Sequence, residues 1–112
     1  MIASNRTRRA TLKARQLANR AAARIRRRGT GTLATHCLAV GLTHREAKSV
    51  ADSLRKNAEK AGAVGTAGRS FRKGAARICT RYTRAAVALI AAIYRPRKAA
   101  YKLAAASLRL AA

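Results

Sequence analysis

Apolar residues recur at helical spacing along most of this chain, and the places where the spacing fails mark its turns. Ala10, Ala14, Leu17, Ala18, Ala21 and Ile25 share one face of a helix predicted over residues 4–28. Ser4 is placed to cap its start, and Gly29 stands where a left-handed residue usually ends a helix. Gly29-Thr30-Gly31-Thr32 reads as a short flexible link. Thr32 then caps a short helix over Leu33 to Val40, which Gly41 breaks. Thr43-His44-Arg45-Glu46 has the form of a capping box and opens a helix that should run to Ala61 and stop at Gly62. Ala47, Val50, Ala51, Leu54, Ala58 and Ala61 make its apolar stripe, opposite Arg45, Ser49, Asp52 and Lys56.

Beyond Gly62 the period changes. Arg77 to Tyr82 alternates with period two, placing Ile78, Thr80 and Tyr82 on one face, and Arg69 to Arg72 can pair with it through a loop containing Lys73-Gly74. Thr83 starts a helix through Tyr94 that is apolar nearly all round, as a buried helix would be. Pro96 suits the first turn of a last helix over 96–110 that carries Tyr101, Leu103 and Leu108. The fold class expected is mostly α: a basic N-terminal helix or arm (1–28), then one small domain (29–112) with a short β-hairpin and a C-terminal helical pair.

Composition adds two constraints. Of the apolar residues 29 are Ala, and the aromatics are only Phe71, Tyr82, Tyr94 and Tyr101, so burial at roughly 25 cal/mol per Å² gives a thin margin for 112 residues. The charge is more telling: 26 Lys and Arg face three acids, a formal +23. GC-rich codons can explain why 19 of the 26 are Arg, but they do not remove Asp and Glu. Such a body repels itself unless a polyanion lies against it, and phosphates supply affinity through released counterions. The expected partner is nucleic acid, duplex DNA before RNA. Each acid has a local role: Glu46 in the cap, Asp52 toward Lys56, and Glu59 toward Arg55.

Read from the turn glycine, residues 33–52 give Cys37 as a small residue inside the first helix, then Val40, Gly41, Leu42, the cap Thr43, and Ala47 and Val50 facing inward. This stretch of about twenty residues resembles the helix-turn-helix family of DNA-binding proteins. It departs from the family at His36, where an apolar residue usually packs under the turn. The resemblance implies that the second helix enters the major groove and that Thr43, His44, Arg45, Lys48, Ser49 and Asp52 face bases and phosphates. Arg45 is the expected bidentate guanine reader, and Lys48 a phosphate contact. A hairpin after that helix would make the unit winged.

Phosphate contacts are expected from Arg6, Arg8, Arg9, Lys13, Arg15, Arg20, Arg24 and Arg27 of the arm, from Lys56, and from Arg69, Arg72, Lys73, Arg77 and Arg81 of the hairpin. The bland alternative at each is a solvated basic face. Homodimerisation through helix 84–94 or the last helix is a further expectation. The implied role is a regulator of transcription or replication, of the kind found on phages and plasmids. A protein that coats or compacts nucleic acid without sequence preference is the alternative.

Other chemistry fits poorly. There is no carboxylate pair, phosphate-cradling Gly loop with Lys-Ser/Thr, or Cys-His-acid set at a family spacing, so no enzyme and no small-molecule substrate are expected. His36, Cys37, His44 and Cys79 match no zinc-ligand spacing, and no metal or cofactor is expected. Two distant cysteines without a secretory segment point to a reducing interior, cytoplasmic and nucleoid-associated. The acid-free N-terminus matches a transit peptide in composition, but the same character continues to the far end. The longest apolar run, Ala85 to Tyr94, is too short to cross a bilayer, and no membrane partner is expected. The tyrosines read as core edges rather than base-stacking platforms.

Overall fold

The computed structural model describes residues 2–72 and 74–110, with side chains described for 4–69 and 74–110. Five helices and one hairpin follow in the order α1 (Ile2–Arg28), α2 (Leu33–Ala39), α3 (His44–Ala61), β1 (Thr66–Arg72), β2 (Ala75–Arg81), α4 (Arg84–Ile93) and α5 (Ala99–Leu110). The expected mostly helical domain with a short hairpin and a C-terminal helical pair is the fold observed.

Three threonines start three helices by one mechanism. Thr32, Thr43 and Thr83 are extended at the cap position, and each side chain accepts from the amide three residues on. At Thr43 the box is complete: the Thr43 amide donates to Glu46 Oε1 at 3.1 Å, while the Glu46 amide donates to Thr43 Oγ1 at 3.3 Å. Gly41 (φ 100°) and Gly62 (φ 68°) occupy the left-handed region that stops α2 and α3. Ser4 is not a cap, because α1 already runs from Ile2. Pro96 likewise precedes α5 rather than opening it, since the helix begins at Ala99.

The core gathers where α2, α3, α4 and α5 meet. Cys37, Val50, Leu54, Val87 and Ile90 are sealed from solvent, with Leu33, Tyr82, Tyr94 and Leu108 around them. Tyr82 and Tyr94 are therefore core residues, as expected. Helix α4 is not buried all round: Ala86, Val87, Ile90 and Ala91 face inward, while Leu89 and Ile93 face solvent. In α5, Leu108 is buried and Leu103 is 71 % exposed.

Helix α1 packs on α2 through its C-terminal half alone. Ala21 and Ile25 are buried and Leu17 and Ala18 are half-buried, but residues 4–16 are all exposed, Ala10 and Ala14 included. Alanines bury too little area to hold a helix whose flanks are arginine, so the expected apolar face works only where Leu17 and Ile25 extend it. At 1.5 Å per residue the exposed half projects by roughly 20 Å.

The link after α1 is not flexible. Gly31 forms an antiparallel bridge with Tyr82, its amide donating to the Tyr82 carbonyl at 3.0 Å and its carbonyl accepting from the Tyr82 amide at 2.8 Å. A Cβ at Gly31 would come within 3.1 Å of Ile25 Cγ1, so glycine lets the strand lie close under α1. The hairpin pairs Thr66 with Arg81 through to Arg72 with Ala75, leaving a two-residue connection at 73–74. Its period-two pattern does not mark a buried face: Ile78 is 88 % exposed, Thr80 is exposed, and only Tyr82, beyond the strand, reaches the core.

Candidate nucleic-acid interface

The helix pair α2–α3 is fixed from below by His36. Its ring is buried and lies beneath the end of the hairpin, with Nε2 donating to the Tyr82 carbonyl at 2.8 Å. That carbonyl also accepts from the Gly31 amide, so one oxygen ties α2, the link and the hairpin together. Burial lowers the His36 pKa below its ordinary value of 6.5, and the Arg84 cation pushes the same way against the hydrogen bond to Tyr82. A neutral ring carrying its proton on Nε2 satisfies this geometry. His36 thus stands as a polar strut between α2 and the end of the hairpin.

Cys37, one residue on, is sealed at the crossing of α2 and α3, where burial pushes its thiol up to about 12. A small residue there lets the two helices approach. Among the described residues no three His, Cys, Asp or Glu side chains come together as a metal site would need.

Above this crossing, α3 presents a continuous exposed face. Thr43, His44, Arg45, Lys48, Ser49 and Asp52 are all exposed, and Lys56 extends the row one turn further. The Thr43 hydroxyl is engaged in the cap. Asp52 does not turn to Lys56 as expected, but takes Arg55 Nη1 at 3.0 Å, three residues on along the helix. Arg55 is therefore drawn toward Asp52 rather than toward Glu59. The pair is exposed, so it sets orientation more than stability.

The basic residues divide into three groups. Arg6, Arg8, Arg9 and Arg15 stand on the projecting half of α1, exposed on several sides of the rod. Lys13 and Arg20, lower on α1, border a groove of about 390 Å³ whose other wall is Gly41, Leu42, Thr43 and His44. The arm therefore passes beside the start of α3. Arg24 of α1 joins Arg69 and Arg81 of the hairpin at a second cleft, while Arg27 and Arg77 are exposed. Lys73 and the side chain of Arg72 lie outside the described residues.

Further along α3, Arg55 shares a smaller cleft with Thr32, Ile78, Thr80 and Tyr82, so the hairpin stands beside that part of the helix. Sequence reasoning missed Arg28, which lines the second cleft. Its signal was available as spacing, since Arg28 follows Arg24 by four residues and precedes the bridging Gly31 by three. No described helix is long and apolar enough to cross a membrane. No family model matches this chain, and neither a curated protein nor a solved structure matches it.

Proposed function

We propose that this chain binds duplex DNA as a winged helix-turn-helix protein and regulates transcription or replication at specific sites. The observation that carries this reading is the exposed face of α3, with α1 beside its start and the hairpin further along it. Its N-terminal turn opens beside Lys13 and Arg20 of α1, and the hairpin stands along its Arg55 side. A major groove about 12 Å wide admits one helix, and with α3 in it the cations of α1 and the hairpin are left to meet phosphates. Arg45 reads guanine through a bidentate pair, Ser49 and His44 add edge contacts, and Lys48 and Lys56 meet phosphates.

The bridge of Gly31 to Tyr82 gives the hairpin a fixed base from which to reach the backbone. Solvent-facing Leu89 and Ile93 on α4 supply the surface through which two copies would pair on a two-fold site. The setting proposed is cytoplasmic, on the nucleoid, and the mobile-element role remains part of the proposal.

The test is site selection from random duplexes followed by titration at rising salt. A regulator keeps a large preference for its selected site, and Arg45→Gln costs about 1–3 kcal/mol of discrimination at one base pair. Uniform loss of binding to every sequence, untouched by Arg45→Gln, would instead establish the alternative of a non-specific coat. That second reading draws on residues 4–16, exposed throughout and carrying cations on several faces. Stronger binding to duplex RNA in the same titration would redirect the proposal to A-form helices.

A further inference from the structure

The second cleft gathers cations without any acid to balance them. It has a volume of about 540 Å³ and is lined by Arg24 and Arg28 of α1, Arg69 and Arg81 of the hairpin, and Thr32 and Thr35 at the start of α2 among others. None of its described lining residues is Asp or Glu. Helix, hairpin and turn thus bring like charges to one hollow, an arrangement that needs an anion to offset it.

Two of its walls are set in place before any ligand arrives. Arg81 is half-buried and donates from Nη2 to the Arg69 carbonyl at 3.1 Å. Its side chain lies flat across Gly68, where a Cβ would come within 2.9 Å of Nε. One donor of the five on the guanidinium is spent on Arg69, leaving the rest of the fork to face outward. Thr32 and Thr35 share a hydrogen bond between hydroxyls at 2.9 Å, and Thr32 Oγ1 also accepts from the Thr35 amide. One hydroxyl proton serves that shared bond, and the other is left to donate to a ligand.

We propose that this cleft is a seat for a single phosphoryl group, held by Arg28 and Arg81 from two sides with a threonine hydroxyl between them. Guanidinium forks match tetrahedral oxyanions, whose several acceptor oxygens can be shared between two guanidinium groups. The group is either a backbone phosphate of the bound duplex or a free phosphate ester. The first source deepens the proposed function and rests on it; the second does not.

Titration of the whole protein with pyrophosphate, followed by amide NMR, tests the seat itself. Saturable shifts are expected at Gly31, Thr32 and Thr35, lost in Arg28→Gln and Arg81→Gln. Gly68→Ala keeps every charge but displaces Arg81, and it should weaken binding as Arg81→Lys does. Shifts that never saturate, or that Gly68→Ala and Arg81→Lys leave unchanged, overturn the seat, because bulk charge would then suffice.

Titration with a random-sequence duplex identifies the source. If the seat takes a backbone phosphate, Arg28→Gln and Arg81→Gln each weaken binding roughly tenfold, and the double variant hardly more than either alone. Losses that multiply mean separate phosphates and overturn a shared backbone seat. Duplex binding intact in variants that no longer take pyrophosphate establishes a free phosphate ester as the occupant. A wild-type protein that takes pyrophosphate but no duplex sinks the proposed function and leaves the seat standing.

Discussion

Mild acid should loosen this fold through His36. The native ring is buried, neutral, and tied through Nε2 to the Tyr82 carbonyl, and its pKa is lowered from 6.5. The unfolded chain therefore takes up a proton at a pH where the native chain does not. Stability contributed by the neutral ring is complete above about pH 6.5 and is lost as pH falls toward the native pKa. Each unit by which the native pKa lies below the unfolded one contributes about 1.4 kcal/mol.

For a chain of this length each such unit corresponds to roughly 6 °C in melting midpoint. The comparison is with His36→Leu, which removes the titrating ring but leaves the Tyr82 carbonyl its bond from the Gly31 amide at 3.0 Å. That variant should be about 1 kcal/mol less stable near pH 7.5, from the lost hydrogen bond. Its midpoint should then stay nearly flat as the pH falls. Thermal or urea unfolding at fixed ionic strength reads both curves, and His44 is common to the two proteins, so the difference isolates His36. A wild-type midpoint that does not move between pH 7.5 and 5.5, or a Leu variant that keeps the wild-type slope, refutes the reasoning.

Three other outcomes follow from burial and exposure. Leu54→Ala should cost about 2–5 kcal/mol in urea unfolding because Leu54 is sealed in the core, whereas Leu103→Ala on the exposed side of α5 should stay within about 0.5 kcal/mol. Removing residues 1–16 deletes Arg6, Arg8, Arg9, Lys13 and Arg15; it should leave the helical core folded and lower the salt slope of duplex binding by up to about 4.5. With a thiol reagent near pH 8, Cys79 should react in the native protein while Cys37, raised to about 12 and fully enclosed, reacts only on unfolding; equal rates at both would contradict that packing.

What could be read from the sequence was local chemistry. Thr32, Thr43 and Thr83 cap through their own hydroxyls, and Gly41 and Gly62 turn through their own backbones, so a few neighbouring residues decide each boundary. The α3 stripe was legible for the same reason, since one helix carries the whole signal. The misses in packing depend on partners distant in sequence. Gly31 looks like a linker until Tyr82, fifty-one positions on, supplies its bridge. Ile78 alternates as a buried strand residue would, but no layer covers that face of the hairpin. Leu89 and Ile93 are as apolar as their neighbours, and only the positions of α3 and α5 decide which side of α4 is covered. For the candidate site, the exposed row on α3 came from periodicity, while the meeting of Arg28 with Arg81 required the fold.

The projecting half of α1 has a consequence for how this molecule can vary. Residues 4–16 are exposed throughout, so their identities bear little on the packing that keeps α2 to α5 together. Arginine can be exchanged for lysine there, or a turn added, without the core having to readjust. Under the proposed function, affinity for DNA can thus be dialled up or down along the rod while the surface offered by α3 stays the same.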